Sequence, residues 1–300
     1  MYHIIINGTA VNAKVEKRLE AVKTIFAEAG KELEIHKTEH AGHAKEIAAE
    51  LTEGGKFADL ITMGGDGTLH EVLNGIEDTE NCTLGLIPLG SGNDFAATAG
   101  IPLDVVAAAK NIALGEPAPI DYIQLKDGLR SINAVGCGID VDVLKRAYAG
   151  TKTGKGKYFS AFLKSLRHYK SATYKVSWDG GEEREFKSIV ACMGNGRQIG
   201  GGIKVFPDAE IDDGYMDLIV VDYLSRFRTM LAFMKLTRGK VNSIKEVTHV
   251  KCKRAKITPV EDPSNRDLHL IQAEGEIYDN IGLDAELVCG KLKFYLPNND

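Results

Sequence analysis

Two glycine-rich stretches carry the residue types and spacing best suited to chemistry. In Asp59-Leu60-Ile61-Thr62-Met63-Gly64-Gly65-Asp66-Gly67-Thr68 an apolar strand runs into a glycine turn and then into a helix start. That order aims backbone N–H groups at one point, and glycines let an anion approach the backbone closely. Thr68 is expected to cap the helix. Asp66 is the unusual member, because a carboxylate in a cradle for negative charge points to magnesium or to a hydrogen bond with a nucleotide. A plainer reading is a tight strand-to-helix turn in which Asp66 bonds locally. The second stretch, Leu86-Ile87-Pro88-Leu89-Gly90-Ser91-Gly92-Asn93-Asp94-Phe95-Ala96, repeats the order and weighs against the plainer reading, since two such loops on one sheet can flank one phosphate chain. Neither loop holds a P-loop lysine, so charge compensation falls to metal and backbone dipoles.

The elements that must position these loops alternate. Tyr2–Ile6 is apolar and β-branched, and Val15–Ala29 has helical spacing up to Gly30. Leu33–Ile35 and Leu60–Met63 read as strands, Ala41–Glu53 and Thr68–Ile76 as helices. The alternation predicts a parallel sheet covered by helices. Near Pro117 and Pro119 the texture changes to strands joined by hairpin turns, Lys126-Asp127-Gly128 and Asp179-Gly180-Gly181. A boundary at about Asp121 divides an α/β domain, 1–121, from an antiparallel sandwich or barrel, 122–290, interrupted by two helical segments, Tyr158–Tyr169 and Arg226–Leu236.

Composition narrows the classes. The chain has 300 residues, 44% hydrophobic and 26% charged, which fits an ordinary globular protein of about two domains. A net charge of -5 argues against a nucleic-acid binder. The five cysteines fit neither a disulfide framework nor a zinc pattern, and the apolar run in MYHIIINGTA is too short for a signal peptide. A cytoplasmic, reducing setting is expected. Seven Lys or Arg and no acid lie between Gly150 and Trp178, and six and none between Tyr223 and Lys245. Each stretch carries an apolar stripe, Tyr158, Phe159, Phe162, Leu163 and Leu166 in one and Phe227, Met230, Leu231, Phe233 and Met234 in the other. These are either lipid-docking helices or helices packed on the sheet with solvated lysines. His36, His40 and His43 invite a metal hypothesis, but a surface loop entering a helix accounts for them. Gly194-Asn195-Gly196-Arg197-Gln198-Ile199-Gly200 reads as a loop, its glycine spacing differing from a dinucleotide fingerprint.

Together, Gly64-Gly65-Asp66-Gly67-Thr68 and Pro88-Leu89-Gly90-Ser91-Gly92-Asn93-Asp94-Phe95-Ala96 resemble the bacterial diacylglycerol kinase and lipid kinase family, relatives of sphingosine and ceramide kinases. The resemblance continues in order through Asn133-Ala134-Val135-Gly136-Cys137-Gly138-Ile139-Asp140, Asn195-Gly196, Gly200-Gly201-Gly202, Pro207-Asp208-Ala209 and Asp212-Asp213-Gly214. It implies a mostly parallel α/β domain of phosphofructokinase and NAD kinase type and a C-terminal antiparallel β-sandwich for the lipid. The last strand, Leu292–Leu296 within 291–300, would return to the first domain. ATP would bind in a cleft between the domains at Asn7, Thr9, Gly64, Gly65, Asp66, Gly67, Thr68, Gly90, Ser91, Gly92 and Asn93. Mg2+ would be held by Asp213 and the backbone carbonyls of Glu210 and Met216, with waters leading to Asp66 and Asp94. Taken on its own, Asp212-Asp213-Gly214 is equally a plain β-turn.

The resemblance makes Glu274 and Asp66 the catalytic carboxylates. Glu274, in Ala273-Glu274-Gly275-Glu276, stands where relatives carry the aspartate of an Asp-Gly-Glu block and would take the proton of a lipid hydroxyl. Its extra methylene moves the reacting oxygen, and a shift of about 1 Å can cost about a hundredfold in rate. Asn7-Gly8-Thr9-Ala10-Val11 stands where relatives tend to carry Asn-Pro and then Ser-Gly, leaving Thr9 to supply the hydroxyl. The implied activity is ATP- and Mg2+-dependent phosphorylation of a lipid hydroxyl, diacylglycerol to phosphatidic acid, with peripheral membrane contact and a homodimer among the expected states. One alternative is an NAD kinase, which shares Gly-Gly-Asp-Gly-Thr but whose threonine-rich second motif has no counterpart here. The other is a non-catalytic nucleotide-binding relative, motivated by Glu274 and the Asn7 segment.

Overall fold

In the computed structural model, which describes residues 1–8, 11–150, 156–262, 265, 267–279 and 282–297, the strand and helix alternation takes a definite form. It runs β1 (Tyr2–Ile6), α1 (Ala13–Glu28), β2 (Leu33–Lys37), α2 (His43–Thr52), β3 (Ala58–Gly64), α3 (Asp66–Gly75), β4 (Cys82–Pro88), α4 (Asp94–Thr98) and α5 (Val105–Leu114). In α1, Val15, Leu19, Val22, Ile25 and Phe26 make one buried stripe, and the Asn12 side chain caps the start by accepting from the N–H groups of Lys14 and Val15. Strands β2, β1, β3 and β4 lie side by side in that order, all parallel. Every residue of β4 is buried and all but one of β3, as expected when helices cover both faces of a parallel sheet. The helices pack as two pairs, α1 with α5 and α2 with α3.

From β5 (Ala118–Leu125) onward the pairing turns antiparallel. The order is β6 (Arg130–Ser131), β7 (Ala134–Gly138), α6 (Ile139–Tyr148), α7 (Gly156–His168), β8 (Ala172–Trp178), β9 (Arg184–Gly194), β10 (Met216–Asp222), α8 (Arg226–Leu236), β11 (Val247–Cys252), β12 (Arg254–Pro259), β13 (Ile271–Ala273), β14 (Glu276–Tyr278) and β15 (Leu283–Phe294). By compactness the chain divides into Met1–Asp121 with Cys289–Asp300, and Tyr122–Val288. Within the first unit, the far end of β15 adds a parallel strand beside β4, Lys293 opposite Thr83 and Phe294 opposite Leu84.

Within the second unit β9 is long enough to serve several partners. Its first half pairs with β8, its second half with β7, and β10 joins along Ser188–Gly194. Side chains alternate between two cores. Ala191 and Met193 of β9, with Met216, Leu218 and Val220 of β10, enter the main core, whereas Cys192, Ile219 and Val221 enter a second cluster shared with Ala232 of α8.

The expected helices are largely present, and the differences are local. Helix α3 starts at Asp66 rather than Thr68, and its N-cap is Gly65 without a side-chain cap, so Thr68 does not fill that role. A third helix, α6, joins the two expected in the β-rich half. Its sequence, IDVDVLKRAY, carries three β-branched residues that imitate a strand, but Asp140 and Asp142 in the first turn and Lys145 and Arg146 in the last suit a helix dipole. Among the described residues no helix is long and apolar enough to cross a membrane.

Candidate active site

The two glycine loops meet backbone to backbone. The Leu89 N–H donates to the Gly64 carbonyl at 2.8 Å. A Cβ on Gly90 would stand 2.7 Å from the Gly65 Cα and 2.8 Å from the Asn93 Oδ1, so only glycine fits there. Asn93 holds the loop's corner in the left-handed region, φ 52°, while its Nδ2 donates to the Gly90 carbonyl at 2.8 Å. Asp66 then joins loop to loop: Oδ2 accepts the Asp94 N–H at 3.1 Å and Oδ1 the Phe95 N–H at 3.2 Å. This carboxylate, expected as a catalytic group on the metal path, therefore works as a clamp on the start of α4. The N–H groups of Asp66, Gly67 and Thr68 lie ahead of the first helical bond, from the Leu69 N–H to the Gly65 carbonyl (3.1 Å), at the positive end of a ten-residue helix. Gly65, Asp66, Gly67, Gly90, Gly92 and Asn93 are partly exposed and Ser91 is exposed, so solvent reaches both loops.

The end of β1 leads to the same region of the sheet. The Asn7 N–H bonds the Met63 carbonyl at 3.4 Å, tying the segment to β3. Gly8 is pressed against the chain after β2, where a Cβ would come 1.9 Å from the Thr38 carbonyl oxygen, and its N–H donates to Thr38 Oγ1 at 3.0 Å. Thr9 lies outside the described residues.

In the second unit, Glu274 and Gly275 form the two-residue turn between β13 and β14, with φ of 52° and 84°. Paired left-handed residues match the twist of a tight hairpin. Glu274 Oε1 accepts the Asn133 N–H at 2.6 Å and the Ala134 N–H at 3.3 Å, together with the Ser131 hydroxyl. The carboxylate is thus fixed by groups some 140 residues earlier. Ser131 and Asn133 as holders of this acid escaped sequence reasoning, and Ser131 gave no signal that could have found it.

Asp213 is arranged differently from the expectation. Its Oδ1 accepts the Tyr215 N–H at 2.9 Å, and its Oδ2 is paired with the Lys251 ammonium. Lys251 is held above its ordinary pKa, first by that hydrogen bond and then by the charges of Asp213, Asp217 and Glu210. In this structure Lys251 supplies the positive charge beside Asp213, and of the expected magnesium set Glu210 and Met216 would offer backbone carbonyls rather than side chains. Met216 is buried in β10 opposite Cys252, and the Glu210 side chain is exposed. Beside it, Asp217 is fully buried and bonded to His249, whose other ring nitrogen meets Asn242 Oδ1 at 2.7 Å.

The paired loops and the anchored carboxylate belong to a chain with recorded relatives. The diacylglycerol kinase catalytic domain matches residues 1–125, and the YegS C-terminal NAD kinase beta sandwich-like domain matches residues 133–296. The diacylglycerol kinase of Bacillus subtilis (strain 168) is 30% identical over 263 residues, which span 86% of each chain. The chain belongs to the diacylglycerol kinase family. A further member of this lipid kinase family, the "Probable lipid kinase YegS-like" protein of Chromohalobacter salexigens, is 32% identical over 76% of this chain and 73% of its own. A crystal structure of a diacylglycerol kinase from Bacillus anthracis str. Sterne superposes with a TM-score of 0.76 at 25% identity, over 99% of this chain and 97% of that one. The likeness to an NAD kinase from Archaeoglobus fulgidus, TM-score 0.54 at 13% identity, is one of fold. The chain is accordingly a kinase of the lipid kinase class, with parallel N-terminal strands and antiparallel C-terminal ones.

In this kinase the two basic helices of the second unit divide their apolar stripes. Phe162 of α7 stacks on Phe233 of α8, ring centroids 3.8 Å apart, and both are buried. Phe159, Leu163, Phe227, Leu231 and Met234 remain exposed, Phe227 by 73%. Lys152 and Lys155 lie outside the described residues.

Proposed function

We propose that this chain transfers the γ-phosphoryl group of ATP to the hydroxyl of a diacylglycerol, giving phosphatidic acid, with ATP entering as its magnesium complex. The observation that carries this reading is the clamp between the glycine loops. With Asp66 engaged by Asp94 and Phe95, the N–H groups at the start of α3 are left for the phosphate chain. Positioning and charge neutralisation are the main demands of phosphoryl transfer, and pre-set N–H dipoles meet both without rearrangement. Glu274 serves as general base. With Oε1 anchored by three donors, the Glu274 carboxylate takes the proton of the attacking hydroxyl as the new O–P bond forms and ADP leaves.

The exposed apolar residues of α7 and α8, in helices that hold Lys157, Lys164, Arg167, Arg226, Arg228 and Lys235 and no acid, support peripheral contact with an anionic membrane. The deciding assay follows labelled γ-phosphate in mixed micelles offering diacylglycerol, monoacylglycerol, ceramide, sphingoid base or phosphatidylglycerol, with NAD alongside. Labelled phosphatidic acid is expected. Labelled NADP, or ATP binding without any product, overturns the reading.

A further inference from the structure

We infer that His3, Glu34 and His36 form a binding site for a divalent transition ion of the zinc type at the edge of the parallel sheet. The three residues share a face because β1 and β2 run parallel with His3 opposite Glu34, and alternate residues of β2 point the same way. Strand β2 is the outermost of the row, so the site opens at the sheet edge.

Three atoms converge there. His3 Nδ1 lies 3.1 Å from His36 Nε2 and 3.3 Å from Glu34 Oε2, and the latter two are 3.8 Å apart. Zinc holds nitrogen and oxygen ligands at about 2.0–2.2 Å in a tetrahedron, which sets neighbouring ligand atoms about 3.3 Å apart. The circle through these three atoms has a radius of about 2.0 Å, so an ion at zinc distances from all of them stands about half an ångström out of their plane, with one position left for water. Two imidazoles and one carboxylate are a donor set that zinc accepts.

Charge is compatible with this arrangement. Burial holds His3 below its ordinary pKa, and the neighbouring His36 adds to the effect, while Glu34 and Asp59 oppose it. A hydrogen bond between the two rings accounts for one short contact, but not for the carboxylate oxygen closing the triangle on both nitrogens. The nearby His40, His43 and Glu46 form a different case. His43 Nδ1 accepts the Glu39 N–H at 3.0 Å, which leaves its proton on Nε2 and its lone pair engaged, so that group carries no site.

The test uses the full chain stripped of metal with a chelator. Zinc titration by calorimetry is expected to show one equivalent bound, and cobalt to give the intense visible bands of a four-coordinate ion. His36→Gln and Glu34→Gln should each weaken zinc binding at least about tenfold to a hundredfold and abolish the bands, while His43→Gln leaves both unchanged. Circular dichroism confirms that each variant is folded, and His3→Gln is a further ligand variant. No zinc binding, or binding lost in His43→Gln and kept in His36→Gln, overturns the inference.

Discussion

Replacing Glu274 by glutamine separates its observed anchoring from its proposed role as base. A carboxamide oxygen can take the same donors that Oε1 takes now, Ser131, Asn133 and Ala134, so the anchor keeps its shape and loses its charge. A hydrogen bond to a charged acceptor contributes about 1.5–3 kcal/mol and one to a neutral acceptor about 0.5–1.5 kcal/mol. Over three bonds on a partly buried residue, screening brings the loss to about 1–2 kcal/mol. That lowers the melting temperature by about 1.5–3 °C for a chain of this size. Chemistry loses more, because an amide cannot accept the hydroxyl proton, and removing a general base costs about 10²–10⁴ in turnover.

The assay is initial-rate transfer to the accepted lipid, with thermal unfolding in parallel. Expected are a fall in kcat of that size, a KM for ATP within about threefold of wild type, and a modest drop in Tm. Turnover within about fivefold of wild type would refute the base assignment and leave Glu274 as an anchor alone. The aspartate variant is a sharper control on geometry. It draws the carboxylate back by about 1.5 Å, away from the buried N–H of Asn133, and an orphaned buried donor costs about 1–3 kcal/mol. Glu274→Asp is therefore expected to be less stable than Glu274→Gln, although it keeps the charge.

Gly90→Ala forces a methyl group to 2.7 Å from the Gly65 Cα, so the loops must part. About 1–3 kcal/mol of stability and about a tenfold rise in the KM for ATP are expected from melting curves and kinetics, and an unchanged KM would exclude loop contact as a determinant of binding. Lys251→Met removes the cation beside Asp213, Asp217 and Glu210. In chains freed of zinc beforehand, the wild-type Tm should be indifferent to added magnesium, and the variant should lose about 1 kcal/mol and regain it with magnesium; a wild-type Tm that rises with magnesium contradicts the Lys251 pairing. Burial raises the Asp140 carboxyl to about 7, so the folded state holds a proton that the unfolded chain releases near pH 4. This favours folding below about pH 4 and is lost as pH rises through about 7, so Asp140→Asn should stabilise the protein at pH 8 and not at pH 4, as urea titrations at the two values will show.

Much of this was legible in the residues themselves. An apolar, β-branched run in Tyr2–Ile6 and helical spacing in Val15–Ala29 mark element type, and a strand entering a glycine turn and a helix locates both loops with local information alone. The start of α3 shifts by two residues because glycine can serve as N-cap and Asp66 is free to bond elsewhere. What stayed hidden depends on long-range register. Lys251 meets Asp213 across 38 positions, and His3 meets His36 across 33 through parallel pairing of β1 and β2. Sequence proximity groups His36 with His40 and His43, for which a surface loop entering a helix is the reading, and gives no sign of His3 or Glu34. The helix α6 was hidden by its valines and isoleucine, whose strand preference is overruled by packing of Ile139 against Phe162 and Phe233.

The acids explain why a site of this kind is easily misread from composition. Asp66 closes on the N–H groups of Asp94 and Phe95, Glu274 on those of Asn133 and Ala134, Glu71 on Gly42 and Ala44, and Asp121 on Gly290. In each case a carboxylate joins backbone segments that are 27 or more positions apart. Such a clamp draws its strength from a charged acceptor facing N–H dipoles, and it needs no metal. An aspartate in a glycine loop therefore has two physical uses, ligand and clamp, and only the positions of its oxygens distinguish them. For Asp66 and Asp213 each of those oxygens already accepts from a protein donor, which is the clamp arrangement.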